Sequence, residues 1–440
     1  MTTSSPAKAN VSTVGSSVDA ERWPDVAAVP RSYGRAWVAR VLVARLVKRV
    51  AIQVQLPDGS RLATGRRPRV EGEPVLILHR PEAFYRRVAA GGLIGFGEAY
   101  QAGDWDSPDL VGLIAALADG VEKIVPRGLH WVRHLHGPRF PRRERNTVEG
   151  ARSNIHRHYD LSNEMFALFL DPSMLYSSAL FAPLTPGTAL ADEPGRPLLA
   201  DLTDAQHRKV DRLLDSAGVT TGSRVLEIGT GWGELAIRAA QRGATVRTVT
   251  ISTEQAELAR DRAAAAGVAD RIDIELRDYR DIEPDAVGYD AVVSVEMIEA
   301  VGEKFWPAYF KKIDALLARG GRVGLQAIIM RHERMMAGRR SYTWMHKYIF
   351  PGGIIPSVKA IEQTLARHTT LHIADKFEFG QHYAQTLRLW RERFTEKAAE
   401  IARLGFDETF KRTWRLYLAY SEAGFRTGYL NVCQLALARA

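Results

Sequence analysis

The segment Val225-Leu226-Glu227-Ile228-Gly229-Thr230-Gly231-Trp232-Gly233 limits what this chain can fold into more than any other. An apolar, β-branched run enters a turn with three glycines and then passes into a helix. Glycine lets a backbone turn tightly and lets a ligand approach it closely. The spacing is not the G-x-G-x-x-G that cradles a pyrophosphate, but E-x-G-x-G-x-G. A glycine-rich turn without a ligand is the alternative, and the strand–turn–helix context argues against it.

The surrounding sequence repeats the rhythm. Val225–Ile228, Val246–Ile251, Ile272–Leu276, Ala291–Val295 and Val323–Ile329 are short apolar runs, separated by helical stretches such as Glu254–Ala266 and Lys304–Ala318. Alternation of this kind predicts a doubly wound, mostly parallel sheet, with ligands at the carboxyl ends of its strands. Three successive strand ends carry suitable groups. Glu227 suits an ammonium. Val249-Thr250-Ile251-Ser252, followed by Gln255, offers hydrogen bonds to ribose hydroxyls. Asp278-Tyr279 offers a carboxylate to an adenine amino group and a ring to its face. With Gly229, Gly231 and Gly233, these residues point to S-adenosylmethionine, in a Rossmann-like class I methyltransferase domain of the α/β class.

The rest of the 440 residues is divided by composition. Residues 1–20 are rich in Ser, Thr and Ala and are expected to be a disordered tail, not a signal peptide. Residues 21–124 are expected to form a smaller α+β N-terminal domain. Arg35 to Val50 should be a helix packed into it, because its basic residues are spread around the wheel. Ile52, Val54 and Leu56, followed by Pro57-Asp58-Gly59, predict a hairpin. Pro81-Glu82 should open a helix. This domain is open to two readings, lipid handling or packing and dimerisation, and the second would make a homodimer. Residues 125–153 form a basic linker, either a solvated connector or a face for phosphate headgroups. Residues 154–440 complete the methyltransferase domain. One cysteine, Cys433, allows neither an internal disulfide nor a cysteine-based metal site and fits a cytoplasmic protein; no metal is expected. No apolar run is long enough to span a bilayer. The net charge of +9 favours an anionic partner, nucleic acid or membrane, or merely aids solubility.

Further motifs carry a resemblance. They are His158-Tyr159-Asp160-Leu161-Ser162-Asn163, Leu175-Tyr176-Ser177, Glu227–Gly233, Thr250-Ile251-Ser252 with Gln255, and Asp278-Tyr279-Arg280-Asp281. Ser294-Val295-Glu296-Met297-Ile298-Glu299, Lys347-Tyr348-Ile349-Phe350-Pro351-Gly352-Gly353 and Gly424-Phe425-Arg426 follow. From about residue 85 onward the chain resembles the cyclopropane-fatty-acyl-phospholipid synthases, which include the mycolic acid cyclopropane synthases. The resemblance implies methyl transfer from S-adenosylmethionine to an alkene in a phospholipid acyl chain, with Tyr176, Ser177, Gly229, Thr250, Ile251, Gln255, Asp278 and Tyr279 on the cofactor. It implies a bicarbonate or carbonate ion as base, held by Ser178, Glu299, Gln326, the Ile328 backbone and Tyr383. Ser178 and Gln326 depart from the cysteine and histidine common there, Ala300 replaces a frequent histidine, and Ser421 stands where several members carry a cysteine.

Attack by an alkene leaves a carbocation, which aromatic faces stabilise. Tyr342, Trp344, Tyr348 and Phe350 are the candidate substrate pocket, with Tyr383 beside them; core packing is the alternative for each. Val295–Gly302 and Leu418–Arg426 look most like the tuberculostearic-acid branch, whose 10-methylene product a separate reductase saturates. A cyclopropane ring is the alternative product. A nucleic-acid methyltransferase is disfavoured, because Glu296-Met297-Ile298-Glu299 stands where amino-methylating enzymes carry an Asn/Asp-Pro-Pro-aromatic motif. A non-catalytic lipid-binding protein is the remaining rival. The expected place of work is the inner face of the plasma membrane, with the basic linker and the Trp344 segment as contacts.

Overall fold

A computed structural model describes residues 18–63, 72–124, 162–182, 198–284 and 286–439. The tail up to residue 17, the basic linker 125–153 and His158-Tyr159-Asp160-Leu161 lie outside the described residues.

The chain divides into two units. The first comprises Met1–Leu113 and Phe406–Thr413, so it ends earlier than residue 124 and gains a segment from far along the chain. Its sheet has three short strands, β1 (Gln53–Gln55), β2 (Val75–Leu78) and β3 (Trp105–Asp106). The expected hairpin is reduced to one antiparallel bridge, Gln55 to Arg61, because β1 pairs in parallel with β2 instead. Helix Pro81–Gly91 starts at the proline as expected. Its Arg87, with Arg80, neutralises the fully buried Asp104 at 3.0 and 2.8 Å. The helix predicted near Arg35–Val50 runs Tyr33–Val47, but it is not enclosed. Only Ala39 and Val47 are buried on it, while Tyr33, Trp37, Val38 and Leu42 are exposed, Trp37 by 70%. Ala36, Val41, Val43, Ala44 and Leu46 are half-buried, and the Arg86 guanidinium lies 4.3 Å over the Tyr33 ring.

The second unit, Ile114–Gly405 with Trp414–Ala440, is built on a seven-stranded sheet. Its strands are β4 (Arg224–Ile228), β5 (Thr245–Thr250), β6 (Ile272–Leu276), β7 (Tyr289–Val295), β8 (Leu317–Met330), β9 (Leu371–Glu378) and β10 (Leu430–Arg439). Their order is β6-β5-β4-β7-β8-β10-β9. The five runs predicted from sequence are the five mutually parallel strands. The order reverses at β4, and a crevice at such a switch point is where an open α/β sheet binds ligand. β10 is antiparallel to both of its neighbours. Helices Leu202–Ser216 and Glu234–Gln241 bury Val210, Leu213, Leu235 and Ala239 against Val225 and Val293. Helix Trp306–Leu316 buries Tyr309, Phe310 and Ile313 in a second cluster with Leu226, Val292 and Leu325.

Candidate active site

The turn after β4 has the backbone its glycines suggested. Gly229, Gly231 and Gly233 have φ of +100°, +51° and +88°, a region that strains any residue with a Cβ. Two of them are also hemmed in. A Cβ on Gly229 would lie 2.6 Å from the Met297 side chain, and one on Gly233 would lie 3.0 Å from Ala259. A Cβ on Gly231 would point into open space, so this face of the turn is free to meet a ligand. Beneath the turn, Thr248 donates to the buried Glu227 carboxylate at 2.6 Å, and its hydroxyl lies 2.8 Å from that of Thr230. Glu227 thus braces the loop. Burial pushes its carboxyl up to about 8, with Thr248 and Lys209 opposing.

The next strand ends gather as predicted at the same sheet edge. Thr250 donates to Gln255 Oε1 at 3.0 Å, and Ser252 caps the following helix by accepting from the Gln255 backbone at 3.2 Å. Ile251 is half-buried between them. Asp278 is buried and accepts from the Arg280 side chain at 2.8 Å and from its backbone at 3.0 Å. Tyr279 stands edge-on to Tyr309 at 5.3 Å. Tyr176 and Ser177 come from an extended segment. The Tyr176 hydroxyl lies 2.7 Å from that of Tyr417. Ser177 accepts from the fully buried Lys209 at 2.6 Å. Desolvation lowers that ammonium to about 8, against the attraction of Glu296, Asp171, Glu227 and Glu234.

The residues expected to hold an anion divide into two sets. Ser178, Gln326 and Tyr383 converge on Glu296, which the sequence reading assigned no role. Its Oε1 accepts from the Ser178 backbone N–H at 3.1 Å and from Gln326 Nε2 at 2.9 Å; its Oε2 accepts from the Tyr383 hydroxyl at 2.6 Å. The Ser178 hydroxyl turns away to the Ala179 carbonyl. Glu299 pairs instead with Ile328, whose backbone N–H donates to its Oε1 at 2.5 Å. The other Glu299 oxygen is buried without a hydrogen-bond partner. Burial, and then the neighbouring Glu296 charge, push the Glu299 carboxyl up to about 8. Burial also raises Glu296, opposed by its three donors and by Lys209.

A relay fixes which way the Gln326 amide points. Arg212, which only donates, gives to Gln434 Oε1 at 2.8 Å. Gln434 must therefore offer its nitrogen, which donates to Gln326 Oε1 at 3.1 Å. Gln326 is then left to donate to Glu296. Arg212, Gln434 and Lys209 belong to this site, but helical periodicity or strand pattern alone does not distinguish them from ordinary packing.

The candidate aromatics make the following ring contacts. Phe350 meets Tyr417 edge-on at 5.6 Å and so joins the group holding Tyr176. Tyr383 packs on Phe425 at 4.4 Å and lies 6.3 Å from Trp390, which also faces Tyr176. Trp344 pairs with Tyr348 at 5.7 Å, and Tyr342 stacks on His346 at 6.0 Å.

A sheet in this order, with its glycine turn at the switch point and polar groups on the next two strand ends, is that of a class I, S-adenosylmethionine-dependent methyltransferase. Solved structures bear this out. The cyclopropane synthase MmaA2 from Mycobacterium tuberculosis superposes with a TM-score of 0.56 at 28% identity, covering 66% of this chain and 98% of that one. The mycolic acid cyclopropane synthase CmaA1, complexed with SAH and CTAB, gives 0.56 at 26% identity, covering 65% and 97%. The chain belongs to the mycolic acid cyclopropane synthetase family, whose model matches residues 146–435. It is 51% identical over 431 residues to a tuberculostearic acid methyltransferase of Mycobacterium tuberculosis, covering 97% of each chain. It is 33% identical over 371 residues to the cyclopropane-fatty-acyl-phospholipid synthase of Escherichia coli, covering 83% of this chain and 88% of that one.

Proposed function

We propose that the protein methylates the double bond of an oleoyl-type chain in a phospholipid and leaves a 10-methylene branch. The similarity to a tuberculostearic acid methyltransferase over nearly the whole chain carries this reading. S-adenosylmethionine, when bound, supplies an electrophilic methyl group on a sulfonium. The open side of Gly231 and the buried carboxylate at the end of β6 fit such a ligand. In this reading Tyr176, Ser177, Gly229, Gly231 and Gly233 line the methionine half, with Glu227 bracing their turn. Thr250, Ile251 and Gln255 meet the ribose, and Asp278 and Tyr279 meet the base. Aromatic faces near Tyr176 and Tyr383 exclude water and favour a cation.

Bicarbonate does not fit the donors assigned to it. Ser178, Gln326 and Tyr383 are engaged by Glu296, and a second anion among them would be repelled by that carboxylate.

The substrate places the protein at a membrane, and its charge of +9 suits the anionic inner leaflet. No helix among the described residues is long and apolar enough to cross a bilayer. The methylene product is an alkene, so a separate reductase is needed to saturate it. Incubation with methyl-labelled cofactor and oleoyl phospholipid vesicles, followed by mass spectrometry of the released acyl chains, tests the reading. A 10-methylene chain is expected; a cyclopropane chain as sole product would overturn the product assignment.

A further inference from the structure

We infer that Glu296 is the proton acceptor of the reaction, a carboxylate built into the chain where the reaction otherwise needs an exogenous anion. The inference rests on the methyl-transfer reading above.

Four observations carry it. Glu296 is the first residue after β7, and the next residue, Met297, packs against Gly229 of the glycine turn, so its carboxylate belongs to the same strand-end edge as the cofactor loop. Its backbone sits at φ +52°, one of only two non-glycine residues with positive φ among those described. A non-glycine residue is held there only when its surroundings demand it, and such residues cluster at functional sites. Its Oε1 receives two N–H donors, the Ser178 backbone and the Gln326 amide, whose direction is dictated by Gln434 and Arg212, and the Tyr383 hydroxyl reaches Oε2. These contacts favour the ionised carboxylate against the burial that raises it. Finally, the adjacent Glu299 has one oxygen without a partner in the interior. Burial and the neighbouring Glu296 charge raise the Glu299 carboxyl to about 8, so a proton on Glu299 favours the charge on Glu296.

The step balances. The alkene's electron pair forms the bond to the methyl carbon while the sulfur–methyl pair stays on sulfur, leaving a carbocation on the adjacent chain carbon. A hydride shift moves that charge to the carbon bearing the new methyl. Glu296 then takes one methyl proton, the C–H pair becomes the methylene double bond, and the carboxylate becomes a neutral acid. One positive charge on sulfur and one negative charge on Glu296 are both consumed.

Glu296→Gly tests this without demanding a strained fold, since glycine prefers the φ found here. It also opens a carboxylate-sized space lined by Ser178, Gln326 and Tyr383. Label transfer to oleoyl phospholipid is measured in carbon-dioxide-depleted buffer with and without added bicarbonate or formate, alongside calorimetric titration of the cofactor product. The unaltered protein should work equally in both buffers. Glu296→Gly should bind within about threefold of normal, lose at least a thousandfold in turnover, and recover with saturating formate or bicarbonate. The inference is overturned alone if the unaltered protein needs bicarbonate, if Glu296→Gly stays active without an anion, or if no anion restores it. No labelled lipid from the unaltered protein in either buffer would overturn the substrate reading, and the inference with it.

Discussion

Tyr383 donates to a buried carboxylate and has no competing solvent. A hydrogen bond to a charged group is worth about 1.5–3 kcal/mol. Tyr383→Phe should therefore slow turnover about ten- to a hundredfold while leaving cofactor affinity unchanged, as a kcat measurement beside a binding titration would read. Glu299 gives a pH signature. Its carboxyl is raised from 4.5 to about 8, so the folded protein holds a proton that the unfolded chain releases. That contribution is complete below about pH 4.5 and is lost as pH climbs to about 8, by up to about 1.4 kcal/mol per unit. Denaturant midpoints should thus fall from pH 5.5 to 8.5, and Glu299→Gln should flatten the fall. Glu227, raised to a similar value, will leave a residual slope. An unchanged slope in Glu299→Gln would show that this group is ionised throughout. At this scale the sequence exposed Ser178 and Gln326 as departures but hid their cause. A glutamate three positions before Glu299 takes the Gln326 amide, while at 178 it uses only the backbone N–H, and only a fold brings residues 178, 296, 326 and 383 together.

The strand–turn–helix after β4 was legible because its signal is local. Glycines at three positive-φ positions leave little else for that stretch to be. The same geometry separates two substitutions. Gly233→Ala meets Ala259 as well as an unfavourable φ, and should cost about 1–2 kcal/mol or more of stability. Gly231→Ala meets nothing within the protein, so it should cost about 1 kcal/mol and act mainly on the ligand. Thermal denaturation beside cofactor titration distinguishes them: the first chiefly lowers the melting temperature, the second chiefly weakens binding. β9 and β10 escaped the sequence reading. β10 runs against both of its neighbours, and β9 is an edge strand in which His372, Asp375, Lys376 and Glu378 interrupt the apolar run that betrays the parallel strands. The reduced hairpin at Pro57-Asp58-Gly59 failed for a related reason, since turn chemistry is local but the partner of β1 is not.

For the whole molecule, a charge of +9 predicts attraction to anionic surfaces that salt weakens, since the screening length is about 8 Å at physiological ionic strength. Sedimentation with vesicles containing phosphatidylglycerol should fall severalfold between 50 and 500 mM salt on the order of the screening argument, and neutral vesicles should bind little at either. Equal, salt-independent binding to both would remove electrostatics from the account. The division into units was only roughly legible. Composition suggested a boundary near 124, whereas the first unit closes at Leu113 and recruits Phe406–Thr413. Trp23 donates to Asp407 at 2.8 Å and Arg412 pairs with Asp106 at 2.9 Å, links 384 and 306 residues apart that no local pattern announces.

β10 lies between β8 and β9, and its Gln434 aims the Gln326 amide at Glu296. On the ribosome, the glycine turn Gly229–Gly233 emerges some 200 residues before the strand that orients Gln326. The relay that turns the Gln326 amide toward Glu296 is therefore closed only by the last strand of the chain to be synthesised, Leu430–Arg439.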